Sequence, residues 1–346
     1  MSKIVYLLGA GASYGSRHQK DGKDIRGAVI RGIPIVNEFS AAIERLNDEH
    51  IEQLSSTPLS DYKIIYEDLV WLADKCAQYP TIDTYAKMLY ITEGINGQNY
   101  NRLKRSLSLF LTLMQEKGKR DLRYDGFIAS LIQEGAVFPK DISILSWNYD
   151  SQFEYAFSDY VSGNDINYIW DKLNVYYKYN ETPTLDVKRD GFGIMKLNGT
   201  ALLCDNARRG RIVDIDNYSK AYPNRKTGIQ QLYNIGNNRM DTTLSFAWEE
   251  DNILKERIKE RVQDAEVLVV IGYSFPYVNR EVDRVIVNNM PNLSKVYIQD
   301  PNASSIRQNF EAVMGYEQTL RFKKNNLGET KELHHTEQFI IPSELA

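Results

Sequence analysis

Short apolar runs alternate with stretches of helical periodicity along this chain, and each apolar run stops abruptly at small or polar residues. The runs Ile4–Leu8, Ile142–Trp147, Gly193–Leu197, Ala265–Ile271 and Lys295–Gln299 have the length and the β-branched or aromatic content of buried strands. Between them the apolar positions recur at helical spacing. Val36, Phe39, Ile43 and Leu46 form one face behind Pro34, and Ile64, Ile65, Leu69, Leu72 and Ala73 form another. Thr81-Ile82-Asp83-Thr84 reads as a helix start before Tyr85 to Ile91. Leu103, Leu107, Phe110, Leu111 and Met114 make a further face, closed by Phe127, Leu131 and Ile132. Residues 48–135 therefore read as a helical module inserted behind the first strand–helix unit. Helices are also predicted over Gln152–Phe157, Ile253–Val262 and Arg280–Asn288. Tyr168–Tyr179 reads as an aromatic side hairpin, residues 204–245 as an irregular connection, and Lys295–Gln299 as the final strand before a polar tail. Arg17–Arg31, rich in charge and glycine, reads as a loop: either a lid or a plain surface insertion. The pattern predicts a single α/β domain over residues 1–346, a Rossmann-like parallel sheet with helices on both faces and the helical module inserted into it.

The strand ends carry the chemistry. Gly9-Ala10-Gly11-Ala12-Ser13 follows the first strand. Gly9 permits a tight turn there, and Gly11 has no Cβ to hold a ligand off the backbone. Exposed N–H groups and the positive end of a following helix would suit a pyrophosphate; the plainer alternative is a glycine turn and nothing more. The other strands end in Asn148-Tyr149-Asp150, Asn198-Gly199-Thr200, Gly272-Tyr273-Ser274-Phe275 and Asp300-Pro301-Asn302. Open α/β sheets put ligands at such carboxyl ends. A nicotinamide oxidoreductase would also show an early second strand ending in an acidic residue for the ribose. None follows the first turn, so hydride transfer is the least favoured activity.

Composition narrows the classes further. The 346 residues are 42% hydrophobic and 25% charged, with a formal net charge of −4, which argues against a general nucleic-acid binder. Basic runs such as Arg102–Arg105 and Arg208–Arg211 read as solvated faces. Cys76 and Cys204 stand far apart with no partner at ligand spacing, so no disulfide scaffold, structural zinc or other metal is expected. Of the four histidines, His334 and His335 sit side by side in the polar tail and read as surface. No leader and no membrane span is read, and a cytoplasmic location is expected.

Taken in order, the five strand-end clusters resemble the sirtuin-like family, and more closely its bacterial branch of NAD hydrolases used in anti-phage defence. The resemblance covers residues 3–40, 141–157, 193–200 and 265–302. It implies that Gly9, Ala10, Gly11, Ala12 and Ser13 hold the pyrophosphate of NAD, and that Ile33 and Pro34 border the nicotinamide. It also implies Asn148 beside the nicotinamide ribose, Gly272 and Ser274 at the adenosine half, and Asp300 and Asn302 at the adenine ribose. One position departs from the family. Its Lys-x-His-Gly pattern, which carries the usual catalytic base, reads Lys196-Leu197-Asn198-Gly199 here. An amide has no useful basicity, so Asn198 cannot take a proton. The zinc module of deacetylating members is missing too, and deacetylation is not expected.

Loss of the base does not forbid cleavage of NAD, because nicotinamide leaves as a neutral molecule and the transition state is oxocarbenium-like. Asn148 and Asn198 would orient ribose hydroxyls and the attacking water. Asp150 would either stabilise the charged sugar or cap the helix behind it. The resemblance implies an NAD glycohydrolase, with NAD as substrate; because loss of NAD is toxic, it would be held inactive by assembly, as a homo-oligomer, or by a partner. The alternative is a catalytically impaired subunit that binds NAD or ADP-ribose and regulates or scaffolds a defence complex. A further reading is an interaction subunit of a larger defence complex, for example beside a ring-shaped ATPase, docked through the helices of Ile51 to Gly135, which otherwise simply complete the core.

Overall fold

Ile4–Leu8 forms β1, and its side chains are all buried. The computed structural model describes residues 2–15, 19–20, 23–24, 32–46, 60–117, 120–162, 165–177, 191–205, 211–213, 240–246, 248–249 and 252–345. A two-residue ladder of β2 (Gln19–Lys20) and β3 (Lys23–Asp24) follows β1. The rest of Arg17–Arg31 lies outside the described residues, and so does the choice between lid and insertion. Helices α1 (Phe39–Leu46), α2 (Ser60–Gln78), α3 (Ile82–Glu93), α4 (Gln98–Lys117) and α5 (Leu122–Leu131) come next. Then follow β4 (Ile142–Ser146), α6 (Gln152–Phe157), α7 (Ile166–Leu173), β5 (Val175–Tyr177), β6 (Gly193–Lys196), β7 (Gly199–Asp205), β8 (Arg211–Val213) and β9 (Met240–Leu244). The chain continues through α8 (Asn252–Val262), β10 (Val267–Ile271), α9 (Arg280–Asn288), β11 (Lys295–Gln299), α10 (Ala303–Val313), α11 (Tyr316–Leu320) and β12 (Glu329–Leu333).

Seven strands build one all-parallel sheet in the order β12-β11-β10-β1-β4-β6-β5, the Rossmann-like arrangement the sequence predicts. Alternation along each strand divides the core. Tyr6 and Ile144 face Phe127, Phe153 and Trp170 on one side, while Val5 and Leu145 share the other side with Ile258, Ile286 and Phe310. Both faces are thus covered by helices. The chain leaves β1 toward β4 on one side and reaches β10 on the other, so the strand order reverses at β1. In an open sheet that reversal leaves a crevice beyond the carboxyl ends.

The register makes the crevice sharper. Gln299 pairs with Ile271, Ile271 with Leu8, Leu8 with Ser146 and Ser146 with Lys196, so five adjacent strands finish on a single row. The five clusters of small and polar residues all begin just beyond that row.

A third apolar cluster lies apart from the sheet. Phe39 and Ile43 of α1, Ile65, Leu69 and Leu72 of α2, and Leu103, Leu107 and Phe110 of α4 pack with Ala201, Leu244 and Phe246. The helical module therefore shares its core with the small antiparallel sheet β8-β7-β9. α3 is started by Thr81, whose hydroxyl accepts the Thr84 N–H at 3.1 Å.

Three expectations are corrected. Tyr168–Tyr179 is not a hairpin: Ile166–Leu173 is helical, with Ile166, Ile169, Trp170 and Leu173 buried at helical spacing, and Val175–Tyr177 is a parallel edge strand. Residues 204–245 are not irregular throughout, because β7, β8 and β9 pair there; residues 214–239 lie outside the described residues. Lys295–Gln299 is not the last strand, since Glu329–Leu333 pairs on its outer side. As an edge strand it carries charge instead of an apolar run, which hides it from an apolar-pattern reading. Among the described residues no helix is long and apolar enough to cross a membrane.

Candidate functional site

The first turn is held by its neighbour. Gly9 N–H donates to Ile271 O at 3.0 Å and Gly11 N–H to Gly272 O at 3.0 Å. Ala12 N–H donates to Gly9 O and Ser13 N–H to Ala10 O, closing a single 3₁₀ turn over Ala10–Ala12. Within Gly9–Ser13 only the N–H of Ala10, which is exposed, lies outside these backbone bonds. The expected exposed N–H groups are therefore reduced to one among the described residues of the turn: the tight turn is there, but its other donors are taken up by Ile271, Gly272 and the turn itself. From below, the Arg123 guanidinium donates to Gly11 O at 2.9 Å and to Ala12 O at 3.4 Å, and it pairs with Asp121. Ile33 N–H returns to Ser13 O at 2.7 Å, which brings the Gly-Ile-Pro stretch against the turn.

Ser13 joins the first two strand ends. Its hydroxyl meets the Tyr124 hydroxyl at 2.9 Å and accepts from Asn148 Nδ2 at 3.0 Å, while Gln152 Nε2 donates to Ser13 O at 2.9 Å. Asn148 is 7% exposed, so its amide is fixed at the wall instead of moving in solvent. Asp150 Oδ1 accepts the Gln152 N–H at 3.1 Å, the first N–H of α6, so the carboxylate caps the helix as it faces the cleft. Burial raises its pKa, opposed by the charge of Lys196. Lys196 Nζ lies 2.8 Å from Glu154 Oε1, and that buried pair underlies the Asn148–Asp150 segment.

Asn198 stands next to it. Its Nδ2 donates to Trp147 O at 3.2 Å, which fixes the amide orientation. Its Oδ1 is buried and has no hydrogen-bond partner among the described residues. A fixed, desolvated acceptor of this kind is costly unless a ligand supplies a donor.

Together these ends enclose a cleft of about 430 Å³. Ala10, Gly11, Ser13, Ile33, Pro34, Asn148, Asp150, Asn198, Gly272, Ser274 and Asp300 all line it. Three expected residues do not. Gly9 is buried where any Cβ would meet Gly272 O at 2.6 Å, Ala12 is fully buried in the core, and Asn302 is exposed at the start of α10. Asp300 accepts the Asn302 N–H at 2.8 Å, and burial raises its pKa.

The sequence reading missed the opposite wall. Phe39 comes from α1, and Thr81, Asp83 and Leu111 come from the helical module, so those helices both complete a core and face the cleft. Asp83 Oδ1 accepts from the Tyr149 hydroxyl at 3.3 Å, and burial pushes the Asp83 carboxyl up to about 6. An acid in the first turn of a helix ordinarily signals only a favourable dipole interaction, so nothing in the sequence separated Asp83 from that role. Trp147 and Tyr273 stack with ring centroids 5.5 Å apart at 14° and line the floor. Behind them the Tyr273 hydroxyl donates to both oxygens of Asp283 at 2.9 Å; burial raises the Asp283 carboxyl to about 8, against those bonds.

The wall thus carries three carboxyl groups, three buried and hydrogen-bonded amides (Asn148, Asn198 and Asn279) and no Lys, Arg or His among its described residues. Such a lining stabilises positive charge and can orient hydroxyls, and it offers little to a free anion. Among the described residues no three His, Cys, Asp or Glu side chains gather as a metal site. No protein-family model and no curated protein matches the chain.

Proposed function

We propose that the cleft binds NAD and hydrolyses its bond to nicotinamide, releasing ADP-ribose. The observation that carries this reading is the convergence of five strand ends on one cleft whose wall is acidic and amide-lined. NAD presents a cationic pyridinium, and the sugar carbon becomes cationic as that ring leaves. Carboxylates placed beside a developing positive charge stabilise the transition state more than the ground state. The orphaned Asn198 Oδ1 would accept from a ribose hydroxyl or from the attacking water, and Asn148 would fix the sugar. The phosphates would meet the Ala10 N–H and the exposed Ser274, and Asp300 would face the second ribose.

Unregulated loss of NAD is toxic, so the activity is proposed to be gated, within anti-phage defence, by self-association or by a partner such as a ring-shaped ATPase. That part rests on the resemblance of the strand-end motifs. A second reading is supported by the lack of His among the described lining residues: the cleft would bind NAD or ADP-ribose without turnover and serve as a regulatory subunit.

Chromatography of nicotinamide after incubation with NAD, beside calorimetry with ADP-ribose, separates the two. Hydrolysis predicts nicotinamide release that Asn148→Ala abolishes, and the regulatory reading predicts heat without release. If neither appears, with or without a candidate partner, both readings are overturned.

A further inference from the structure

We infer that Asp83, supplied by the helical module and not by the sheet, is the general base that takes the proton of the attacking water. The inference rests on the NAD-cleavage reading and names the group that does the work the family assigns to the histidine replaced by Asn198.

Asp83 lines the cleft and bonds through Oδ1 to Tyr149, the residue directly after Asn148. Through Tyr149 it neighbours the β4 strand end that carries Asn148, and it also acts electrostatically on Tyr273 after β10. Of the other acidic groups of the wall, Asp150 accepts the Gln152 N–H through Oδ1 and lies beside the charge of Lys196, while Asp300 accepts the Asn302 N–H through Oδ1 at the far strand end. The Tyr149 and Tyr273 hydroxyls are held well above their ordinary range by burial, and neither forms an anion at neutral pH.

The best base for water at neutral pH has a pKa close to the working pH. Burial brings Asp83 up to about 6, while the Tyr149 hydroxyl pulls it back. The titratable groups facing it are Tyr149, Cys76 on α2 and Tyr273 beyond β10, and none of them is a cation. At neutral pH Asp83 is therefore ionised and is more basic than an ordinary carboxylate. In the step itself, the water oxygen bonds to the sugar carbon and one water proton passes to Asp83. The electrons of the breaking C–N bond go to the pyridinium nitrogen, and nicotinamide leaves neutral. Asp83 then returns its proton to solvent.

The test compares nicotinamide release by wild type, Asp83→Asn and Asp83→Glu across about pH 5 to pH 8, with ADP-ribose calorimetry on each. Asp83→Asn is expected to cleave about 10²-fold more slowly or worse, with ADP-ribose affinity held within about threefold. The wild-type rate should fall on the acid side with a midpoint near 6, and that limb should be missing from the residual activity of Asp83→Asn. Asp83→Glu should recover part of the rate. A purely structural role would move neither limb nor rescue. Cleavage by Asp83→Asn within about threefold of wild type, or an unchanged acid limb, overturns the inference and leaves the NAD-cleavage reading standing. Wild-type protein that binds ADP-ribose but releases no nicotinamide overturns both together.

Discussion

The backbone of Gly11 lies directly on that of Gly272: a Cβ on Gly11 would fall 2.7 Å from the Gly272 Cα, and one on Gly272 would fall 2.4 Å from the Gly11 Cα. Gly272 also holds φ +59°, a left-handed conformation that side chains other than glycine rarely adopt. Both glycines serve the seam between two strand-end turns, so the first turn is shaped by its partner before any ligand arrives.

It follows that Gly11→Ala should loosen the seam and not merely crowd the ligand. Overpacking of this kind costs about 1–3 kcal/mol, and Gly272→Ala should cost about 1 kcal/mol more for its backbone. Urea unfolding of the two variants measures the losses. Calorimetry with ADP-ribose should show binding weakened in both.

The buried Asp283 makes a pH prediction with a definite sign. Its folded pKa is raised from an ordinary value of 3.8 to about 8, so over that window the folded chain keeps a proton that the unfolded chain releases. Stability from this group therefore falls as pH rises from about 4 to about 8, by about 1.4 kcal/mol per pH unit, and is level above. Asp83 acts in the same direction, but only up to about 6. Asp283→Asn keeps an acceptor for Tyr273 and loses the titration. Denaturant unfolding of wild type and variant across this range should give curves that diverge as pH rises, with the variant relatively more stable at pH 8.

The strands and their polar ends were readable because buried parallel strands are apolar on both faces and stop where chemistry begins. Ile4–Leu8 and Val267–Ile271 could hardly be anything else. Glu329–Leu333 was not readable, since an edge strand needs no apolar pattern. Val175–Tyr177 was too short and too aromatic to separate from a hairpin. At the site, residues on strand ends were legible and those on the module were not. Asp83 and Phe39 reach the cleft only through the packing of α1–α4 on the small sheet, a long-range arrangement that no local spacing encodes. The turn Gly9–Ser13 was placed correctly, yet the direction of its N–H groups depends on Gly272, distant in sequence.

Arg123 should matter to the cleft without touching a ligand. Its guanidinium spans Gly11 O, Thr336 O and the Asp121 carboxylate, and Asp121 is buried. A lysine ammonium keeps the charge but not the planar fork that spans these partners. Arg123→Lys should lower stability by about 1–3 kcal/mol and Arg123→Ala by about 3–5 kcal/mol, the latter because Asp121 is left without its countercharge. Both should weaken ADP-ribose binding, because the turn loses its support from below. Thermal unfolding and calorimetry on the same samples check the two effects.

Asn198 holds Trp147 O through Nδ2, and its buried Oδ1 has no partner among the described residues. An imidazole at that position can repeat the arrangement, with Nδ1–H on the Trp147 carbonyl and Nε2 toward the cleft, and unlike an amide it can accept a proton at neutral pH. In the wild-type background Asn198→His should raise nicotinamide release by no more than about threefold, because Asp83 already acts as base. In the Asp83→Asn background the same substitution should recover about 10-fold or more of the lost rate, with an acid limb belonging to the imidazole. A large gain in the wild-type background with none in the double variant would reverse the assignment: the rate would then depend on a proton acceptor beside Trp147, with Asp83 serving only to hold Tyr149 in place.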